Sequence, residues 1–104
     1  MIDKIRGMLS EKSQWEQLAE EAIELAHACM KVVRTLNPEN PARTTYCHAV
    51  ENVHEELADV KLLLKMLRLD GEAEQTVHEF VMNDKVHRWV NHLEAERRMR
   101  NGPA

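Results

Sequence analysis

Glycine and proline are scarce in this chain, three of each in 104 residues, and apart from Gly7 near the N-terminus they fall between periodic segments or at the C-terminus. So few breakers leave room for long helices and little for a turn-rich β architecture. No alternation of polar and apolar residues runs long enough for a strand. A disulfide scaffold is excluded as well. Cys29 and Cys47 lack CxxC spacing and read as free thiols, which predicts an intracellular, reducing (cytoplasmic) location. No apolar stretch approaches the roughly 20 residues of a membrane span, so no membrane partner is expected. The opening "MIDKIRGMLSEK" lacks the continuous apolar core of a secretion signal. Positive charge is in deficit, with a net charge of −4. That argues against nucleic acid as the main partner, and a polyanionic ligand would need a metal or a local basic cluster.

What remains is helical. Three periodic segments stand out, over about residues 13–35, 49–69 and 72–98. In the first, Trp15, Leu18, Ala22, Leu25, Ala26, Cys29, Val33 and Leu36 recur at spacings of three and four. Ser10 or Ser13 can cap its start, with Glu16 completing a capping box from Ser13. In the second, Val50, Val53, Leu57, Val60, Leu64 and Leu67 form the stripe, widened by Leu63 and Met66. The third carries Ala73, Val77, Phe80 and Val81, then Val86, Trp89, Val90 and Leu93. Its stripe changes face between Val81 and Val86, which signals a kink or different neighbours at each end. "LNPENPARTT" (36–45) reads as a loop, and "LDGE" (69–72) as a tight connection. The expectation is one all-α domain over 1–104, an antiparallel helical bundle. A chain this short buries little surface alone, so oligomerisation is expected to complete it.

Two acidic groups intrude on the apolar stripes. Residues three apart on a helix lie about 60° apart around its axis. Glu21 and Glu24 therefore point the same way, as do Glu56 and Asp59. Glu21 falls at the edge of the first stripe beside Leu18 and Leu25, with Glu24 one step outward. Glu56 and Asp59 fall among Leu63, Met66 and Leu67, while His54, Lys61, Lys65 and Arg68 take the outer face. If the two stripes pack together, four carboxylates converge. Such a cluster is costly to desolvate and self-repelling. A hard divalent cation relieves both penalties, Mg²⁺ or alternatively Mn²⁺. A solvated acidic helix flank is the plain alternative.

The pattern EExxE, a spacer, then ExxD (Glu20, Glu21, Glu24, Glu56 and Asp59) resembles the signature of the MazG-like nucleotide pyrophosphohydrolases. "SQWEQLAEEAIELAHACMKVVR", "NPENP", "ENVHEELADVKLLL" and "DKVHRWVNHLEAERR" resemble the first helix, Pro-containing loop, second helix and basic C-terminal helix of short members. The likeness covers Ser13 to Arg98, and its 31-residue spacer is toward the long side. It implies an all-α fold assembling into dimers or tetramers, with Glu21, Glu24, Glu56 and Asp59 holding Mg²⁺. Glu20 would orient the water or support a ligand. The reaction implied is hydrolysis of a nucleoside triphosphate to its monophosphate and pyrophosphate. Lys85 and Arg88 resemble the family's phosphate-contacting pair, whereas Lys31 and Arg34 read better as favourable charge at a helix C-terminus. Gln14 and Trp15 can face the base, although Trp15 suits core or interface packing more.

Two other readings compete. Glu24 with His27 and Glu51 with His54 have the Glu-x-x-His spacing of di-iron bundles. His54, however, points away from its stripe, and three helices do not make that bundle. A non-catalytic helical dimerisation or adaptor module explains the stripes but leaves the intruding carboxylates without a cause. His78, His87 and His92 form no recognisable constellation.

Overall fold

The computed structural model describes residues 1–39 and 43–102. Those residues form four α-helices and no strand: α1 (Ile2–Met8), α2 (Glu11–Thr35), α3 (Tyr46–Met66) and α4 (Glu72–Asn101). The chain divides into two compact units. The first, Met1–Leu69, holds three helices; the second, Asp70–Ala104, holds one. Among the described residues no helix is long and apolar enough to cross a membrane.

The short α1 lies outside the three segments the periodicity picks out, and its role is to close the end of the first unit. Arg6 reaches from α1 to the last turn of α3, donating through Nε to the Met66 carbonyl (2.7 Å) and through Nη2 to the Lys65 carbonyl (3.1 Å). These oxygens belong to a helix C-terminus, where carbonyls lack intrahelical partners and a cation suits the dipole. Asp3 holds the same guanidinium through Nη1. The turn into α2 is fastened by Gln14, 5% exposed. Its Nε2 donates to the carbonyls of Arg6 (3.3 Å) and Leu9 (3.1 Å). A buried amide with both contacts made is stabilising; the same amide without them would cost free energy.

Ser10 caps α2, its hydroxyl accepting from the Ser13 amide at 3.1 Å. The helix thus begins two residues ahead of the expected start. Ser13 is a first-turn donor, not the cap of a box with Glu16. The face of α2 withdrawn from solvent is Gln14, Leu18, Glu21, Leu25, Ala28, Val32 and Thr35, which recurs at alternating spacings of four and three. Its counterpart on α3 is Ala49, Val53, Glu56, Val60, Leu63 and Leu67. The two helices pack along these seams. The early residues of α2 meet the late residues of α3, as Glu21 meets Asp59, so the pair is antiparallel. This corrects the expected α2 stripe. Leu18 and Leu25 do turn inward, but Trp15, Ala22, Ala26, Cys29, Val33 and Leu36 remain exposed. The polar residues Gln14, Glu21 and Thr35 sit on the buried side, so counting apolar residues sets the stripe too far round the helix.

Thr45 caps α3 by accepting from the His48 amide (3.2 Å), three residues ahead of the expected start. At the other end the helix stops at Met66 rather than Leu69. Arg68 takes φ +57°, and the amides of Arg68 and Leu69 bond back to the carbonyls of Lys65 (3.1 Å) and Leu64 (2.8 Å). That is the Schellman termination, here with arginine where glycine is usual. Gly71 serves instead as the N-cap of α4. The loop expected over 36–45 lies partly outside the described residues, with Asn37 Oδ1 accepting from the Glu39 amide (3.0 Å) on its near side. α4 is a single α-helix through Val81–Val86, acidic in its first turn (Glu72, Glu74) and basic in its last (Arg98, Arg100). Both ends oppose the helix dipole favourably.

Candidate metal centre

The antiparallel register of α2 and α3 brings together carboxylates that are 35 or more residues apart in sequence. One oxygen each from Glu21, Glu56 and Asp59 lies within 4.8 Å of the others. Glu21 and Glu56 are half-buried in the facing seams, and Asp59 is exposed beside them. Gln17, one turn ahead of Glu21, donates from Nε2 to Glu21 Oε1 at 2.8 Å, an exposed contact along α2. Glu24, one turn further along α2, is exposed and stands outside this group of three. Its charge still reaches Glu56. Glu20 is exposed on the outer side of α2.

Glu56 carries the electrostatic strain of the arrangement. Its pKa is raised above the ordinary carboxylate value, first by burial and then by the negative charges of Asp59, Glu21, Glu24 and Glu55. Burial disfavours the charged form, and each like charge disfavours it further.

The donor set is all oxygen and includes no thiolate or imidazole, so it fits a hard cation. At an Mg–O distance of about 2.1 Å, octahedral ligand oxygens lie about 3 Å apart when adjacent and about 4.2 Å apart when opposite. The observed limit of 4.8 Å exceeds both values, so side-chain rotation would bring the oxygens onto a cation. Three carboxylates would leave the remaining positions to water or a ligand.

Beside the acids is a cleft of about 240 Å³. Glu21, Asp59 and Gln17 line its polar wall, and Ile5, Leu9, Leu62, Leu63 and Met66 the apolar one. Two of these apolar residues come from α1 and its C-cap, which the sequence alone did not mark as part of any site. Gln17 was also unmarked, although its position four residues before Glu21 is a spacing at which helical side chains meet.

Gln14 spends its amide hydrogens on the α1–α2 turn. Trp15 is 46% exposed, its indole nitrogen donating to Glu11 Oε1 at 3.4 Å. Lys85 and Arg88 are exposed on α4 in the second unit, Arg88 paired with Asp84 at 3.1 Å. No protein-family model, curated protein or solved structure matches this chain.

Proposed function

We propose that this chain is a Mg²⁺-dependent nucleoside triphosphate pyrophosphohydrolase, releasing a nucleoside monophosphate and pyrophosphate. One observation carries the reading: Glu21, Glu56 and Asp59 converge from two helices, and two of them, Glu21 and Asp59, line a cleft whose other wall is apolar. A polyanion with an apolar base fits those two surfaces. The likeness of EExxE…ExxD to the MazG-like signature selects the reaction. Glu21, Glu56 and Asp59 hold the cation, which Mn²⁺ can replace, and Glu24 is close enough to join them. When bound, the cation offsets phosphate charge and activates water. Gln17 keeps Glu21 aimed at the site. Glu56, with its raised proton affinity, gives up its proton more readily once a cation balances its neighbours. Glu20 supports the water or ligand, and Trp15 contacts the base. Gln14 acts by holding α1 at the edge of the cleft. The protein works in the cytoplasm as a homo-oligomer, dimer or tetramer.

The test is pyrophosphate release from a panel of nucleoside triphosphates, with Mg²⁺ and with chelator, for the native chain and Glu56→Gln. Release that needs the metal and falls at least about 100-fold in Glu56→Gln is expected. No release from any nucleotide, together with no metal binding, would assign the chain to the helical-module class instead.

A further inference from the structure

α1 is fastened lightly for a helix that walls a cleft. It buries no residue, and of its seven residues only Ile2 and Arg6 are partly withdrawn from solvent. A helix of that length does not stand alone in water. With no buried apolar anchor, its position depends on two polar attachments. Arg6 donates to the Met66 and Lys65 carbonyls at the end of α3, and Gln14 donates to the Arg6 and Leu9 carbonyls at the end of α1. Gly7 weakens the helix further. A Cβ there would meet nothing within 4 Å, so no close approach calls for glycine, yet only proline is a poorer helix former. Leu9 (φ −114°, ψ 138°) and Ser10 (φ −65°, ψ 157°) are both extended and join α1 to α2 as a two-residue hinge. In contrast, α2 and α3, which carry every proposed cation ligand, pack against each other.

We infer that α1 is a gate over the acidic cleft: it swings about Leu9 and Ser10 to admit the nucleotide, and it closes when Arg6 clasps the end of α3. This rests on the hydrolase reading above and adds how the ligand enters and leaves. Ile5 and Leu9, 38% and 40% exposed, lie four residues apart and so on one side; they are the share of the cleft wall that moves with α1. With α1 clasped, the cleft holds about 240 Å³. That is below the roughly 300–1,000 Å³ of pockets that take drug-sized ligands, and a nucleoside triphosphate is no smaller than those. Swinging α1 away removes one wall and bares Leu62 and Met66 to the incoming base. The cation ligands keep their places, because none of them is on α1. The clasp also lets go at low cost. Its acceptors are helix-terminal carbonyls, which water can serve once the guanidinium leaves. A region with few buried apolar contacts is drawn from the low-stability end of the fold, where lids are found.

The experiment compares the native chain with Arg6→Ala, which removes the clasp, and Gly7→Ala, which stiffens α1 without touching the cleft. The probe is the α,β-methylene triphosphate of 2-aminopurine deoxynucleoside, fluorescent and resistant to hydrolysis, added with Mg²⁺. In native-state hydrogen exchange, the amides of Ile5 to Leu9 should exchange at least about 100-fold faster than those of the α2–α3 seam, and the probe should slow them. In stopped flow, Arg6→Ala should speed both association and release of the probe at least about ten-fold, since it deletes two charge-assisted hydrogen bonds. Gly7→Ala should slow association about two- to five-fold, the helix preference of alanine over glycine. Mg²⁺ affinity without nucleotide should be the same in all three. A stabilised helix that slows entry is the mark of a gate, which a merely structural α1 would not show. It holds the test open even if Arg6→Ala fails to fold. Amides of α1 that exchange as slowly as the seam, or a probe that associates at one rate in all the chains, would overturn the gate and leave the hydrolase reading standing. No binding of the probe with Mg²⁺ would overturn both.

Discussion

α3 and α4 are both long helices rich in apolar residues, yet they are built differently. On α3, Ala49, Leu63 and Met66 are 2%, 5% and 3% exposed, and they lie on a face that repeats every three or four residues. On α4, which is nine residues longer, no residue is buried. Val77, Phe80 and Val81 occupy one arc and Met82, Val86, Trp89, Val90 and Leu93 another, so no single stripe runs its length. Apolar content alone does not place a helix in a core; phase does. α4 relies instead on its own backbone and charges, through Asp84–Arg88 and His92–Glu96 pairs four residues apart, each contributing a few tenths of a kcal/mol.

The sharpest way to break this comparison is to truncate one apolar side chain in each helix. Leu63→Ala removes a buried side chain from the α2–α3 seam and is expected to cost about 2–5 kcal/mol. Val86→Ala on α4 removes a side chain that is 55% exposed and should change stability by less than about 0.5 kcal/mol. Denaturant melts of the two variants measure both. Equal losses would mean that α4 buries its second arc in the solution assembly as firmly as α3 buries Leu63.

Cation binding sharpens the comparison next, because all three proposed ligands lie in the first unit. Mg²⁺ at 100 times its Kd should stabilise the native state by about 2.7 kcal/mol. Asp59→Asn should reduce or abolish the rise in melting temperature. In hydrogen exchange, amides around Glu21 and Asp59 should gain protection on adding Mg²⁺ before any amide of α4 does. Protection that appears first in α4 would remove the metal from the acidic cluster.

How much of this was legible in the sequence follows the same division. The second stripe was read nearly in phase, because Val53, Val60 and Leu67 really are on the packed face. One member of each acidic pair does intrude, since Glu21 and Glu56 occupy seam positions, whereas Glu24 and Asp59 are exposed. The stripe of α2 was read partly out of phase, because the buried face holds Gln14, Glu21 and Thr35 while apolar residues such as Trp15, Ala22 and Val33 stay exposed beside it. α1 was missed because seven residues are too few to show a period, and its anchoring depends on Arg6 meeting carbonyls some 60 positions away. The end of α3 was misplaced because Gly71 draws the eye. The chain reverses at Arg68 without any glycine.

That reversal supports a smaller test at the end of the first unit. A non-glycine residue at φ +57° is strained by its Cβ, by roughly 1 kcal/mol. Arg68→Gly should recover much of that, raising the midpoint of unfolding slightly, while Arg68→Val should lower it. A fall with glycine would mean that the arginine side chain contributes more than its backbone costs.

The smallest expected effect bears on Glu56, and it has the opposite sign from the effect on activity. Its folded-state pKa is raised by burial and by the surrounding acids, so the native state holds this proton more tightly than the unfolded chain does. The stabilisation from that proton is fully present below the unfolded value, near pH 4, and is lost as pH rises through the higher native one. In chelator, the native chain should therefore lose stability over this interval relative to Glu56→Gln, whose amide does not ionise. Melting temperatures of both proteins across pH 4 to 7 give the difference directly, and other titrating groups largely cancel. Glu56→Gln, the substitution expected to lower the proposed pyrophosphate release, should thus make the metal-free protein more stable at neutral pH. A group that weakens the fold in its working ionisation state, and whose charge a cation would balance, is better explained by the ligand it holds than by the fold it belongs to. If the two curves run parallel, Glu56 is a solvated flank residue and that argument for the site fails.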